Sequence, residues 1–109
     1  SFELTGSVHG AAAYDDEGRC LARAEDVGRH NAIDKVVGQL LREHSLQKAR
    51  MLATTGRISF EVVQKASRGP FVAVLSMKGP TSQAVDLARA TCMKLYGFIR
   101  PSAREWHRY

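Results

Sequence analysis

Three short segments of the chain place a glycine, a basic residue and a hydroxyl or amide side chain close to the start of a predicted helix. They are residues 25–31 (EDVGRHN), 54–59 (TTGRIS) and 76–81 (SMKGPT). Glycine lets a ligand approach the backbone, the first N–H groups of a helix point outward, and Arg or Lys supplies positive charge. Proteins hold phosphate with this combination, although Gly, Ser and Thr are also ordinary helix-start residues. Three such segments together predict an anion-binding site.

Four side chains in these segments are candidate contacts of an anionic ligand: Arg29, His30, Arg57 and Ser59. His30 could act as a general base or contact a ligand, but a single histidine near a helix start is more often a hydrogen-bonded structural residue. Arg29 beside it favours an anion, because a fixed cation next to histidine suits a negative charge.

The carboxylates and thiols of the chain favour structural roles. Glu25 and Asp26 could form an acid–base pair, but capping or a salt bridge, for example to Arg29 or Lys35, is the more common role for such residues. Cys20 and Cys92 are 72 positions apart, with no CxxC motif and no Cys/His ligand pair. This pattern excludes a disulfide framework and a structural zinc site, and it predicts neither a catalytic residue nor a metal ligand in this chain.

Hydrophobic periodicity predicts the order β-β-α-β-α-β-α-β. The predicted elements are strands 8–14 and 19–24 around a turn at 15–18, a helix that begins at an Asn31 N-cap, strand 50–55, helix 60–66 with a Ser59 cap, strand 71–75, a helix from a Thr81 or Ser82 cap to about Met93, strand 95–99, and a polar tail at 100–109. The predicted inward-facing residues are Phe60, Val63 and Ala66 in the second helix and Val85, Ala88 and Cys92 in the third. The expected fold is an α/β three-layer sandwich with a mixed, mostly parallel five-stranded sheet.

Length and charge limit the class of protein. The 109 residues make one domain (1–109), with a net charge of +5. Residues 1–20 carry −3, so residues 21–109 carry +8, a surplus that indicates an anionic partner: nucleic acid, a nucleotide cofactor or an acidic protein surface. The longest apolar runs are far shorter than the ~20 residues that span a bilayer, so we expect no membrane segment and a cytoplasmic location. Because the chain starts at Ser1 without Met, we expect it to be a segment of a longer protein or a processed one.

Four groups of residues, read in order, resemble the FdhD family, the formate dehydrogenase accessory sulfurtransferases. They are Thr5-Gly6-x-x-His9, residues 25–35 (EDVGRHNAIDK), residues 56–65 (GRISFEVVQK) and Gly97-Phe98-x-Arg100. The run EDVGRHNAIDK is long and unusual, and the resemblance extends over essentially the whole chain. It matches the C-terminal domain of the family and implies a cytidine-deaminase-like fold.

The resemblance also implies a function. Members of the family take sulfur as a persulfide from a cysteine desulfurase and pass it to the molybdenum (or tungsten) bis(molybdopterin guanine dinucleotide) cofactor for formate dehydrogenase. The CxxC pair that carries the persulfide lies N-terminal to this domain and is absent from the chain. The implied cofactor contacts are Phe98, Ile99, Arg100, Pro101, Ser102 and Ala103, with Arg29, His30, Arg57 and Ser59 as further contacts. The family often has Gly-Arg soon after the proline, where this chain has Ser102-Ala103-Arg104.

Two other functions fit parts of the pattern. A zinc-dependent nucleotide deaminase needs a Pro-Cys-x-x-Cys pair and a Glu beside the His or Cys ligand. Here His30 is followed by Asn31-Ala32 and no CxxC exists, which disfavours deamination and zinc. A non-catalytic basic domain that binds nucleotides or nucleic acid fits the charge, but the chain lacks an interleaved basic and aromatic stripe. Whether the domain forms a homodimer is left open.

Overall fold

The computed structural model describes residues 8–100 and 105–109. The elements in chain order are β1 (His9–Tyr14), β2 (Cys20–Asp26), α1 (Arg29–Arg42), a short 3-10 turn (Leu46–Lys48), β3 (Met51–Thr54), α2 (Phe60–Ser67), β4 (Ala73–Ser76), α3 (Ser82–Ala90), β5 (Lys94–Arg100) and β6 (Glu105–Arg108). The predicted α/β class and the predicted order of the first eight helices and strands are confirmed. The cytidine-deaminase-like assignment stays a prediction.

The strands form one mixed sheet in the order β2-β1-β3-β4-β5-β6. Pairing is parallel between β3 and β4 and between β4 and β5, and antiparallel in the three remaining pairs, so the predicted parallel character holds only for the central strands. The sixth strand corrects the expected count of five. It lies in the segment predicted as a polar tail, where residues 105–108 pair with the otherwise open edge of β5.

All three helices pack on one face of the sheet. Ala13, Leu52, Val74 and Leu95 are register neighbours across β1, β3, β4 and β5, and all four belong to the core that also contains buried residues of each helix. Burial of side chains such as Leu52 and Leu95 stabilises the fold by roughly 1.5–3 kcal/mol each. The three crossovers, β2 to β3, β3 to β4 and β4 to β5, all advance in the same direction across the sheet. Right-handed crossovers therefore put their helices on the same side.

The opposite face of the sheet corrects the predicted three-layer sandwich. Its register row is Ala12, Ala53, Leu75 and Tyr96, and the last three of these residues are only partly buried. Over residues 8–100 and 105–109 no helix covers this face, so the described part of the chain has two layers. The prediction of three layers rested on alternating strands and helices, which do not determine the side on which each helix packs.

The start of α1 also differs from the prediction. The N-cap is Gly28, not Asn31, and the Gly28 carbonyl accepts a hydrogen bond from the Ala32 N–H at 3.0 Å. The Asp26 Oδ1 accepts from the Gly28 N–H at 2.9 Å, which turns the chain into the helix one turn earlier than Asn31 would. Asn31 therefore lies inside the first turn.

Both other helices begin where predicted. The Ser59 hydroxyl accepts from the Val62 N–H, and the Thr81 hydroxyl accepts from the Ala84 N–H, so these residues are the N-caps of α2 and α3. The ends and faces differ in two places. Phe60 is exposed, and Val62 is buried in its place. The third helix ends at Ala90, and Cys92 follows in a left-handed turn with φ 59° and is exposed instead of facing inward.

Candidate functional site

The three predicted segments meet at one edge of the sheet, which we call the carboxyl rim: residues 25–31, 54–59 and 76–81. Each segment follows the carboxyl end of a strand and leads into the N-terminus of a helix, the place where open α/β sheets bind ligands. Ile58 joins the second and third segments, because its N–H donates to the Gly79 carbonyl at 3.3 Å and its carbonyl accepts from the Thr81 N–H at 3.0 Å. The amino ends of α2 and α3 are therefore fixed side by side.

The same turn begins all three segments. In each, the side-chain oxygen of the last strand residue accepts a hydrogen bond from the N–H two residues further on, as in Asx and ST turns. The three bonds join Asp26 Oδ1 to Gly28 N at 2.9 Å, Thr54 Oγ1 to Gly56 N at 3.2 Å, and Ser76 Oγ to Lys78 N at 2.9 Å. The middle residue of each turn is thereby held at the tip.

Two hydroxyls tie these turns to each other and to β1. The Ser76 hydroxyl donates to the Gly56 carbonyl at 2.6 Å, which ties the third segment to the second. The Thr55 hydroxyl accepts from the Gly10 N–H at 2.9 Å, and the Gly10 carbonyl accepts from the Thr55 N–H, so the second segment is also tied to β1. These hydrogen bonds therefore hold the backbone of the rim in place.

Gly56 allows Arg29 and His9 to lie over the second segment. A Cβ at position 56 would lie 2.6 Å from the Arg29 Cδ and 3.5 Å from the His9 Nδ1. The Arg29 stem thus occupies the space that a side chain would fill. Its Nε is buried without a hydrogen-bond partner in the described residues, so Arg29 keeps an unused donor at the rim. An unpaired buried donor is costly, and a ligand that accepted from it would remove that cost.

His30 pairs with a residue of the second helix. Its Nε2 lies 3.5 Å from the Glu61 Oε2, and its Nδ1 is buried without a partner within the part of the chain that the structure describes. The pair joins the first turn of α1 to the first turn of α2. His30 therefore lies between two helix N-termini, where it can contact a ligand and also hold the two helices together.

Asp26 has the structural role that the sequence favours. Its Oδ2 lies 2.8 Å from the Lys35 Nζ, which confirms a salt bridge between the first segment and α1. The hydrogen bond from Lys35, supported by the Gly28 N–H, lowers the pKa of Asp26 to about 2. Glu25 contributes its backbone carbonyl to the same lysine at 3.1 Å. The acid–base interpretation of this pair finds no support in these contacts.

The remaining rim residues differ in their exposure and in their hydrogen bonding. Arg57 and Lys78 are exposed, so their charges face solvent at the rim. Ser59 is occupied as an N-cap, since its Oγ accepts from Val62 N at 3.3 Å, although its own O–H remains a donor. The first helical N–H groups of α2 and α3 have no intrahelical partners and add to the positive potential.

Phe98 reaches the rim from β5 through a strained backbone. It has φ 54°, a left-handed value that is rare for a bulky residue, at a point where the pairing of β5 with β6 shifts between Gly97 and Arg100. Its ring lies on Gly79, where a Cβ would be 2.6 Å from the Phe98 Cζ. His107 packs against the ring edge-on, with centroids 5.9 Å apart, and the ring stays partly exposed. Such strain is often found at ligand sites.

Comparison with known proteins decides the family. A family model described as the FdhD/NarQ family matches residues 1–107. The chain belongs to the FdhD/NarQ family.

Relatives in the FdhD/NarQ family are similar over nearly all of the chain. The sulfur carrier protein FdhD of Anaeromyxobacter dehalogenans (strain 2CP-C) is 46% identical over 106 residues, and that of Thermoplasma acidophilum is 44% identical over 99 residues. These matches cover 91% of this chain but only 37% and 35% of the relatives. The crystal structure of a formate dehydrogenase accessory protein from Desulfotalea psychrophila superimposes with a TM-score of 0.83 at 33% identity, and the match covers 96% of this chain and 46% of that one. The chain therefore spans less than half the length of each of these proteins.

The two cysteines of this FdhD/NarQ domain lie far from the rim. Cys20 begins β2, whose other end, at Asp26, reaches the rim about 20 Å away at ~3.3 Å per residue. Cys92 follows the C-terminal end of α3, whose N-terminus is at the rim. Both thiols are exposed. Neither is positioned to act on a ligand held at the rim.

The segment of the FdhD/NarQ resemblance around Phe98 is described only in part. Ile99 is half-buried and Arg100 is exposed at the end of β5, whereas Pro101, Ser102 and Ala103 lie outside the described residues. Their predicted contact with the cofactor stays a prediction.

Within residues 8–100 and 105–109, no group of three or more His, Cys, Asp and Glu residues is placed to hold a metal ion.

The sequence did not predict three rim contacts in this FdhD/NarQ domain. They are the His30–Glu61 pair, the contact of the Phe98 ring with Gly79, and the hydrogen bond from the Ser76 hydroxyl to the Gly56 carbonyl. Each joins residues about 20 or more positions apart, and no local pattern marks such a pair. The recurring turn could have been found, because Asp-x-Gly, Thr-x-Gly and Ser-x-Lys each follow a strand and precede a helix.

No helix in the described ranges has the length and apolar character needed to cross a membrane.

Proposed function

We propose that this domain binds the molybdenum bis(molybdopterin guanine dinucleotide) cofactor at the carboxyl rim while sulfur from a cysteine desulfurase is transferred to it for formate dehydrogenase. The proposal draws on two of the similar proteins, a sulfur carrier protein and a formate dehydrogenase accessory protein. The cofactor is the substrate of this reaction. The domain holds it, and the sulfur arrives from elsewhere.

One observation carries the proposal: three helix N-termini and three cations lie on one rim, whose backbone is held in place by hydrogen bonds. Arg29 keeps a buried, unused Nε–H, and Arg57 and Lys78 are exposed. Helix N-termini and guanidinium groups bind phosphate through charge-assisted hydrogen bonds. The cofactor carries two diphosphates and two guanines, and a rim that runs from β2 to β4 is about 14 Å wide at ~4.8 Å per strand. That width accommodates more than one phosphate group.

The aromatic residue at the rim suits the guanine. Phe98 has a partly exposed ring on the rim side of β5, and its backbone is held in a strained conformation that aims it there. Aromatic rings stack on bases with a free energy of about 1–3 kcal/mol per base. The rim therefore offers charge for the diphosphate and a flat surface for the base.

The sulfur-carrying step needs a thiol that this domain does not place at the rim. Cys20 and Cys92 lie at the opposite end of the sheet, and neither is in a CxxC motif. In the proposal a cysteine outside residues 1–109 carries the sulfur, and this domain presents the cofactor that receives it. The domain contributes binding and orientation.

Calorimetry with GDP tests the binding step. We expect the wild-type chain to bind GDP, and Arg29→Ala and Arg57→Ala each to weaken binding about tenfold or more, because each removes a charge-assisted hydrogen bond of ~1.5–3 kcal/mol. Arg42→Ala is the matched control: it removes the same charge at the other end of α1, about 20 Å away. A folded chain that binds no GDP would overturn the proposal.

A second candidate is a basic domain that binds nucleic acid without catalysis. The charge of +8 on residues 21–109 favours it. The same calorimeter distinguishes the two, because clear binding of single-stranded DNA together with no binding of GDP would support the second candidate. A stoichiometric zinc content in the purified protein would instead revive the deaminase interpretation.

A further inference from the structure

His9 lies at the carboxyl rim, although it belongs to none of the three rim segments. It is the first residue of β1, and β1 runs antiparallel to both β2 and β3. The amino end of β1 therefore meets the carboxyl ends of its two neighbours, and the register partner of His9 is Asp26, the last residue of β2. The strand order thus brings an imidazole to the edge where the three segments meet.

The backbone beside His9 is held against the second rim segment. The Gly10 N–H donates to the Thr55 Oγ1 at 2.9 Å, and the Gly10 carbonyl accepts from the Thr55 N–H at 3.0 Å. An imidazole on a fixed backbone has few rotatable bonds. It therefore loses little conformational entropy when it contacts a ligand.

The His9 and Arg29 side chains meet above Gly56. Because side chains alternate along a strand, the His9 side chain lies on the same face as Ala11 and Ala13, which belong to the core under the helices. A Cβ at Gly56 would lie 3.5 Å from the His9 Nδ1 and 2.6 Å from the Arg29 Cδ. The imidazole nitrogen from β1 and the arginine stem from α1 therefore border the same point, where Gly56 has no side chain.

Neither of these two side chains has its nitrogen donors satisfied within the part of the chain that the structure describes. The Arg29 Nε is buried there with no hydrogen-bond partner, and no hydrogen bond or ion pair joins His9 to another described residue. The carboxylate of Asp26, across from His9, is already used by the Lys35 Nζ at 2.8 Å and the Gly28 N–H at 2.9 Å. A histidine with a purely structural role would bond a neighbour, whereas His9 keeps its nitrogens for a ligand.

From these contacts we propose that His9 and Arg29 form one phosphate subsite above Gly56, in which the His9 Nδ1–H and the Arg29 Nε–H donate to the same diphosphate. The inference rests on the proposed function, because the diphosphate is that of the guanine nucleotide. Hydrogen bonds from imidazole and guanidinium groups to phosphate are charge-assisted. A diphosphate that accepted from the buried Nε–H would also remove the cost of leaving it unpaired.

Two substitutions of His9 separate a ligand contact from a structural role. His9→Ala removes the imidazole. His9→Asn keeps an N–H group in the place of Nδ1, because both nitrogens are bonded to Cγ. The matched control is His44→Asn: His44 is exposed at the opposite end of α1, and its φ of 55° is one that Asn tolerates.

Calorimetry at pH 7 with GDP and, separately, with inorganic pyrophosphate measures binding by each chain, and circular dichroism checks folding. We expect His9→Ala to bind both ligands about tenfold or more weakly, as loss of a hydrogen bond to a charged group commonly produces. His9→Asn should stay within about threefold of the wild type, and His44→Asn should match it. If His9→Ala does not fold, His9→Leu, which has a larger side chain and no N–H, takes its place.

The two ligands keep the subsite and the proposed function apart. Equal pyrophosphate affinities in the wild type and His9→Ala, or no binding of pyrophosphate by the wild type, would overturn the subsite. A loss of affinity for GDP alone would assign His9 to the base, and a His9→Asn chain as weak as His9→Ala would exclude the Nδ1–H donor; both outcomes would also overturn it. Binding of pyrophosphate but not GDP by the wild type, with the expected loss in His9→Ala, would refute the proposed function and leave the phosphate subsite in place.

Discussion

The imidazole Nε2 of His30 lies 3.5 Å from the carboxylate Oε2 of Glu61, and this contact joins the first turns of α1 and α2. It places a carboxylate beside a rim that presents the exposed cations Arg57 and Lys78 together with the exposed Glu25. Glu61 is 60% exposed, so its charge acts on a ligand mainly through solvent. The pair therefore positions His30 at some expense to the attraction for anions.

Replacing Glu61 by Gln should strengthen anion binding. The substitution removes a negative charge beside the rim, and an exposed charge contributes about 0.2–1 kcal/mol, so GDP affinity should rise up to about fivefold at low salt. The gain should shrink as salt screens the charge. Calorimetry at two ionic strengths measures both effects, with Glu43→Gln at the far end of α1 as the control. A weaker affinity in Glu61→Gln would contradict this and would show that Glu61 aids binding, through the position of His30 or through a contact of its own.

Gly56→Ala should disturb the rim and spare the fold. A Cβ at this position would lie 2.6 Å from the Arg29 Cδ, so the arginine must move away from the second segment. The backbone of Gly56 is not left-handed, and the atoms that must move are the Cδ and Cγ of the Arg29 side chain, so the chain should still fold, with a free energy of unfolding lower by about 1–3 kcal/mol, as overpacking commonly costs. GDP affinity should fall about as much as in Arg29→Ala.

The control for this variant is Gly38→Ala, inside α1. Its Cβ would meet only the Arg42 Nη1 at 3.4 Å, and alanine in a helix interior stabilises by about 0.5–1 kcal/mol relative to glycine. Urea denaturation should show this gain with no change in GDP affinity. If Gly56→Ala bound GDP as well as the wild type, the position of Arg29 would not matter for binding.

Ser59→Ala should act on both stability and binding. The Ser59 Oγ accepts from the Val62 N–H at 3.3 Å, and loss of such a cap costs about 1 kcal/mol. Thr81→Ala removes the equivalent bond of α3, to the Ala84 N–H at 3.1 Å, and should cost a similar amount. Because Ser59 is a proposed cofactor contact, only its variant should also weaken GDP binding. Equal GDP affinities in the two variants would limit Ser59 to capping.

Asp26→Asn should remove part of the acid sensitivity of the fold. The pKa of Asp26 is about 2 in the folded chain, below the ~3.9 of an unfolded aspartate, so its ionised form stabilises the fold above about pH 4, and this contribution is lost as the pH falls to 2. Asn cannot titrate, so the variant should be less stable than the wild type at pH 6, and the difference should shrink at pH 2.

Urea denaturation at several pH values between 6 and 2 measures this difference. Asp86→Asn, which replaces an exposed carboxylate on α3, is the control and should keep the acid response of the wild type. A difference between Asp26→Asn and the wild type that stayed constant over this range would mean that the Lys35 pair does not set the acid response.

Local sequence determined much of this domain. The hairpin of β1 and β2, the caps at Ser59 and Thr81 and the apolar stretch that becomes β4 were all readable, because each depends on residues within a few positions of one another. The same holds for the glycine and the basic residue in each rim segment. Asn31 misled the prediction because its cap propensity competes with the Asp26 turn, which starts the helix one turn earlier.

Only the tertiary structure decided how these parts meet. The packing of all three helices on one face follows from the strand order β2-β1-β3-β4-β5, which the spacing of elements does not contain. The His30–Glu61 pair and the contact of the Phe98 ring with Gly79 each join chain segments about 20 to 30 residues apart, which become neighbours across the sheet. Sequence thus determined the residues that could bind an anion, because side-chain chemistry and helix starts are local properties. Their assembly into one rim depended on long-range pairing, which is set by the packing of the whole domain.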